Sequence, residues 1–216
     1  NQLAIVLTES RNVQDSIRAA RAIVEEHGDD DPRVQRAMGA ALASYYGARE
    51  PELREALSWF RRAEQGFEAR LPQSWRDLAE TQLWIGKTQL RLEQREAGIA
   101  SLEKSLALRD TQEDEPCDTT ALTLSWLADA RRGEAEEIAL RRRSLAEAVR
   151  CREVRLGDWR LSLHDASAER ALVALADALA THGKPDAAEA LTAEEKGRLV
   201  THEVRVAHAP GTWRCR

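Results

Sequence analysis

The sequence predicts an all-α protein, a solenoid of about four and a half antiparallel helix pairs. Self-similarity along the chain is the first reason. A large apolar residue followed by a small one recurs at intervals of about 39 to 48 residues, a period typical of helix-pair solenoids. The five equivalent pairs are Leu3-Ala4, Leu42-Ala43, Ile85-Gly86, Leu127-Ala128 and Leu175-Ala176.

Composition is the second reason. Apolar residues make up 43% of the 216 residues and charged residues 32%, and Ala, Leu, Glu and Arg, which favour helices, dominate. The 6 Pro and 11 Gly fall mostly between the helical stretches, and no alternating pattern of useful length predicts a strand. The net charge of -5 argues against a general nucleic-acid binder. No apolar run approaches the ~20 residues that cross a membrane, so no membrane contact is expected.

The pairs are expected in order along one domain covering residues 1–216. They lie at roughly 1–27 (partial, with helices 1–9 and 13–27), 33–70 (33–48 and 51–70), 74–109 (74–92 and 95–109), 119–156 (119–132 and 134–156) and 163–206 (163–182 and 185–206). Gly28 suits a helix C-terminus, and Asp31 with Pro32 suits the next helix start. The chain begins with Asn1, inside a predicted helix, so we expect a piece of a longer protein. The apolar first half-repeat, around Leu3, could stack on a second chain and form a homo-oligomer.

Several segments resemble the tetratricopeptide repeat. Residues 174–190 match best, with the family's small residues, the turn residue Gly183 and the second-helix residue Ala188. The period of about 42 residues is similar to that of the kinesin-light-chain-like subgroup, as are the connectors at 25–32 and 152–160. The resemblance covers almost the whole chain. It implies a right-handed superhelix in which the first helix of each pair lines a concave groove for a protein or peptide partner.

The third pair carries the most informative groove pattern. Glu80, Trp84, Lys87 and Arg91 follow at helical steps and share one helix face. Trp and Arg are common in binding hot spots. With the corresponding positions of later pairs, the predicted partner-binding groove comprises Glu80, Trp84, Lys87, Arg91, Trp126, Asp129, Arg170 and Asp177. In the second pair the same positions, Ala37, Ala41, Ser44 and Ala48, predict a nearly bare wall.

An alternative for Trp84 and Trp126 is that both are core residues. The family's clamp for a terminal carboxylate uses groove asparagines, and the only Asn residues are Asn1 and Asn12, which disfavours that mode of binding. The basic cluster of Arg131, Arg132 and Arg141 to Arg143 lacks interleaved aromatic residues, so it is interpreted as solvent-facing arginines paired with glutamates rather than as a nucleic-acid site.

No catalytic residue, metal site or cofactor is predicted. Gly86-Lys87-Thr88 echoes the end of a phosphate-binding loop, but Thr81 stands where that loop needs a second Gly. His202, His208 and Cys215 match no compact zinc spacing. Cys117, Cys151 and Cys215 have no metal-type spacing either, and as free thiols they fit a reducing, cytoplasmic compartment.

The sequence therefore predicts a non-catalytic protein-interaction module of a larger bacterial signalling protein. Residues 157–160 and the Ala/Arg/Glu-rich style are similar to repeats C-terminal to bacterial serine/threonine kinase domains. A regulatory or sensor domain of such a kinase is therefore one alternative, although the chain has no kinase motif of its own. An oligomerisation scaffold is the other.

Overall fold

The structure is a computed structural model that describes residues 13–44, 48–110, 117–154, 161–188 and 191. Over these residues it contains helices and no strand, which confirms the all-α prediction. The main helices are α1 (Val13–His27), α2 (Pro32–Ala43), α3 (Glu50–Glu68), α4 (Trp75–Arg91), α5 (Arg95–Asp110), α6 (Cys117–Ala130), α7 (Glu137–Val154) and α8 (Leu161–Thr181).

Local signals set the helix ends. Gly28 follows α1 with φ 77°, and the Asp31 carboxylate accepts a hydrogen bond from the Arg33 backbone N–H at 2.9 Å to cap α2. Helix α2 ends at Ala43, earlier than the predicted 48, and α7 begins at Glu137, later than the predicted 134. The delay in α7 arises because Gly133, with φ 82°, lies in a run of turns between α6 and α7. The predicted helix at 1–9, the Leu3 half-repeat and most of 185–206 lie outside the described residues.

The chain divides into two compact units, residues 1–130 and 131–216. The expectation of a single domain over 1–216 stays a prediction, and so does the pairing of 119–132 with 134–156, which spans the division.

In the first unit, consecutive helices pack in antiparallel pairs. In the pair α4–α5, the Ser105 hydroxyl donates to the Ala79 carbonyl at 2.7 Å, and the Ser101 hydroxyl contacts the Gln89 side-chain oxygen at 2.8 Å. Because the residue number falls on α5 as it rises on α4, the two helices run in opposite directions. Helices α5 and α6 are antiparallel as well. Arg109 near the end of α5 donates to the Thr119 hydroxyl (2.6 Å) near the start of α6, and Arg95 at the start of α5 donates to the Ala130 carbonyl (2.9 Å) at the end of α6.

The pair α4–α5 approaches closely at two glycines. A methyl group at Gly86 would lie 2.7 Å from Cγ of Leu102, and one at Gly98 would lie 2.8 Å from Cγ of Leu90. Any larger residue would force the helices apart. Gly86, the small residue of its repeat pair, and Gly98 are therefore the close-approach positions of α4 and α5.

Two clusters of core residues in the first unit connect helices α1 to α4. The larger draws on α1 to α4 and consists of Ala20, Met38, Ala41, Leu42, Ala43, Ala56, Leu57, Phe60 and Ile85. The smaller consists of Ala63, Phe67 and Leu78. Each cluster joins one helix pair to the next, as repeat stacking requires.

In the second unit, α7 packs on α8 through Leu145, Leu172, Leu175 and Leu179. The turn after α8 forms at Gly183, with φ 73°, where the sequence predicts it.

Two sequence interpretations are corrected in this unit. Arg141 is buried rather than solvent-facing, and its guanidinium lies 3.4 Å from the buried carboxylate of Glu137. Cys151 is also buried and is disulfide-bonded, so it is not the free thiol expected. A disulfide is typical of oxidising compartments, and the cytoplasmic location therefore stays only a prediction.

Candidate partner-binding face

Helices α2 and α4, the first helices of two successive pairs, lie side by side and parallel. Near their starts, Nη1 of Arg36 pairs with the carboxylates of Asp77 (2.8 Å) and Glu80 (3.1 Å). Near their ends, the Arg91 guanidinium donates to the carbonyls of Ala43 and Ala48. Glu80 and Arg91, two predicted groove residues, thus join α2 to α4 at either end of the shared face.

Trp84 lies between these two links. Its indole stacks on the fully buried ring of Phe60, with centroids 5.9 Å apart and planes inclined by 19°. It packs against the larger core cluster yet remains half-buried. The core interpretation is therefore correct for the part of the Trp84 side chain that packs on Phe60, whereas the groove interpretation of the exposed part stays a prediction.

Lys87 contacts Trp84 on its own helix and Trp126 on α6, the first helix of the next predicted pair. Its ammonium lies 4.1 Å from the centroid of the Trp84 ring and 5.3 Å from that of Trp126 on α6. Cation–π contacts of this kind contribute about 0.5–2 kcal/mol each, more where water is excluded. Burial, with the positive charge of Arg91 one turn later, holds the pKa of the Lys87 ammonium below its usual 10.5. Among the described residues, no carboxylate forms an ion pair with Lys87.

Helix α6 continues the face. Trp126 is half-buried, Asp129 is exposed, and Leu122, one turn before Trp126, keeps 44% of its surface exposed. The structure thus places six sequence-predicted groove residues on two helices of one unit. We call this surface the first-helix face: Glu80, Trp84, Lys87 and Arg91 of α4, and Trp126 and Asp129 of α6, with Leu122 beside them.

The wall predicted on α2 is only partly present. Ser44 is exposed and Ala37 and Ala48 are half-buried, but Ala41 is 1% exposed and belongs to the core cluster against which Trp84 packs. The expectation of an empty space along the full wall is wrong at Ala41. A small residue here permits close helix packing instead.

Arg170 and Asp177 lie on α8, in the second unit. Both are exposed, and Val173 between them is exposed as well, as a solvent-facing helix face requires. They form a separate candidate surface, so the eight predicted groove residues do not constitute one described site.

Arg36 of α2, which borders the first-helix face at Glu80, is a residue that the sequence interpretation missed. Besides its two ion pairs, its guanidinium lies 5.5 Å from the centroid of the Phe67 ring. A signal did exist: Arg36 and Asp77 are separated by nearly one repeat period, which places opposite charges on neighbouring first helices.

Two further features are absent from the described residues. No group of three or more His, Cys, Asp or Glu residues within that part of the chain could hold a metal ion. None of its helices is long and apolar enough to cross a membrane.

No family model matches this sequence, and no curated protein matches it significantly. Among solved structures, the crystal structure of MamA is similar over 91% of this chain and 92% of the MamA chain, with 14% identity and a TM-score of 0.51. At that identity the likeness shows the fold alone. Because MamA contains tetratricopeptide repeats, the chain has a tetratricopeptide-like helical repeat fold.

Proposed function

We propose that this chain is a non-catalytic interaction module that binds a peptide or protein segment along the first-helix face. The observation that carries the proposal is the position of Lys87 between two half-buried indoles, Trp84 and Trp126. Exposed Leu122 extends this surface. A half-exposed aromatic pair beside an apolar side chain has surface to bury against a partner, and Trp is enriched in binding hot spots.

The side chains of the same surface are held in place by contacts with the rest of the unit. Arg36 and Arg91 tie α2 to α4 at both ends of the face, and Phe60 holds the Trp84 ring from the core. Side chains fixed in this way lose little rotamer freedom when a partner arrives, which favours affinity. Arg170, Val173 and Asp177 are proposed as a second contact surface, on α8.

The wider setting is proposed from sequence resemblance. It comprises a larger bacterial signalling protein with repeats like those of kinesin light chains. Regulation of a serine/threonine kinase and oligomerisation through the N-terminal half-repeat are the alternative roles. The connector at 157–160 and the half-repeat lie outside the described residues, so no structural observation favours either alternative.

Selection from a random peptide library tests the proposal. The full chain is immobilised and enriched peptides are titrated against wild type, Trp126→Ala and Trp59→Ala. Trp59 is a matched control: it is also half-buried and carries a cation, Arg62 at 4.8 Å, but lies on α3, the second helix of its pair. We expect Trp126→Ala to weaken binding at least 10-fold, the loss of about 1.4 kcal/mol or more expected for a hot spot, with Trp59→Ala near wild type. Equal effects of the two variants would contradict the proposed face.

A further inference from the structure

The charged side chains of the first-helix face differ in the partners that they contact. Glu80 pairs with Arg36, and Arg91 donates to the carbonyls of Ala43 and Ala48. Lys87 differs, because its described contacts are with the faces of two indoles and include no carboxylate. It is a half-buried cation at a solvent-accessible face without a counter-ion among the described residues.

The positive charge of Lys87 is only partly compensated by its described neighbours. A half-buried ammonium loses hydration, and the neighbouring Arg91 charge adds repulsion. The indole faces compensate only in part, since a cation–π contact is weaker than a charge-assisted hydrogen bond to a carboxylate. An anionic group brought to Lys87 would restore the missing interaction in surroundings where screening by water is reduced.

From this charge complementarity we propose that the segment bound at the first-helix face carries an internal Asp or Glu, whose side-chain carboxylate pairs with Lys87. A large apolar residue beside that acid would cover Trp126 and Leu122. The proposal rests on the proposed function and deepens it by specifying the chemistry of the partner. It assigns Lys87 a recognition role and makes the two indoles the apolar walls around the ion pair.

The type of anion follows from the number of available donors. Lys87 supplies a single compact charge, and the Arg91 guanidinium already donates to backbone carbonyls. A phosphate carries close to two negative charges at neutral pH and is neutralised better by two cations, whereas a carboxylate carries one charge and is matched by one ammonium. A side-chain carboxylate is favoured over a terminal one because the only Asn residues, Asn1 and Asn12, are not among the residues of this face. The net charge of -5 disfavours long-range attraction of a highly acidic partner, so the complementarity is local.

The test uses a random peptide library displayed with its C-termini fused to the carrier, so that no free terminal carboxylate is present. The full chain is screened as wild type, Lys87→Met and Lys87→Glu. Methionine keeps an unbranched apolar stem and helix propensity while removing the charge, and melting curves establish that each variant is folded. Enriched peptides are then synthesised as pairs in which the acid is replaced by its amide, Asp by Asn or Glu by Gln.

Wild type should enrich Asp or Glu next to a bulky apolar residue. The amide peptide should bind about 10-fold or more weakly, as expected for loss of a charge-assisted hydrogen bond. Lys87→Met should bind acid and amide peptides equally, and Lys87→Glu should shift the selection towards Lys or Arg. Affinity for the acid peptide should fall with added salt more than affinity for the amide peptide.

Three results would overturn the inference. Acid and amide peptides could bind wild type equally while still depending on Trp126; the proposed function would then stand without the carboxylate contact. A phosphorylated peptide, or one with a free C-terminus, could bind more tightly than the internal acid, which would assign a different anion. Absence of any Trp126-dependent peptide would count against the proposed function itself.

Discussion

The indole of Trp84 stacks on the ring of Phe60, with ring centroids 5.9 Å apart and ring planes inclined by 19°. Phe60 is fully buried and Trp84 is half-buried. One side chain therefore links the core between α3 and α4 to the face that we propose binds a partner. Its substitution must affect stability as well as any binding.

Replacing Trp84 by Ala should lower the free energy of unfolding by about 2–4 kcal/mol, because a half-buried indole loses its apolar contacts and its stack on Phe60. Trp84→Phe, which keeps an aromatic ring, should lose less. Urea denaturation of the three proteins measures this. A loss below about 0.5 kcal/mol for Trp84→Ala, the range of ordinary surface changes, would show that the ring is not part of the core.

Replacing Gly86 by Ala should destabilise the chain despite a helix propensity gain of about 1 kcal/mol. The added methyl group would lie 2.7 Å from Leu102 Cγ and 3.0 Å from the Gly98 carbonyl oxygen. Overpacking of this kind costs about 1–3 kcal/mol, so we expect a net loss. Gln65→Ala at an exposed position of α3 serves as the control in thermal melts, with little change. A Gly86→Ala protein that melts above wild type would contradict the close packing of α4 on α5.

Arg36→Ala should lower the free energy of unfolding by about 1–2 kcal/mol, because the mostly buried guanidinium bonds two carboxylates of α4. Arg36→Lys should retain part of this, since the ammonium keeps the charge but lacks the planar guanidinium that lies 5.5 Å from the centroid of the Phe67 ring. Arg54→Ala is the matched control: its pair with Glu50 is exposed on both sides and should contribute under about 0.5 kcal/mol. Similar losses in the Arg36 and Arg54 variants would count against a special role for Arg36.

The contribution of Glu137 to the free energy of unfolding should depend on pH. Burial by itself raises the pKa of this carboxyl, but the Gly133 N–H (2.7 Å), His182 (3.3 Å) and Arg141 (3.4 Å) outweigh burial and hold the pKa below its usual 4.5. Since the folded state favours the charged form, the stabilisation is present above the unfolded pKa. It is lost as the pH falls through the lower folded-state pKa.

Glu137→Gln should therefore be less stable than wild type at pH 7, by about 1–3 kcal/mol for the loss of hydrogen bonds to a charged group. The difference should shrink as the pH falls below about 4.5. Urea denaturation at pH 7, 5, 4 and 3 follows it. Glu147→Gln, on the same helix, removes a more solvent-exposed pair with Arg150 and is the control. A difference that grows with acidity would refute the assignment.

The sequence by itself determined the helical class, most helix ends and the face that carries Glu80, Trp84, Lys87 and Arg91. These features depend on local physics: a period of 3.6 residues places side chains on one face, and caps such as Asp31 and Gly28 act within a few residues. The repeat period also identified Gly86 as a close-approach position.

Only the tertiary structure decided what each of those side chains contacts. Helical periodicity places Trp84 on a face, but Phe60, brought in by the preceding helix, decides how much of the ring belongs to the core. Arg36 engages Glu80, and Trp126 lies near Lys87, through contacts between residues about one repeat apart. Arg141 and Glu137 are four residues apart on α7, so their pairing is local, but the burial of both side chains depends on what packs around that helix. Sequence patterns fix the order of residues along a helix, whereas the distance and angle between helices emerge from packing of the whole set.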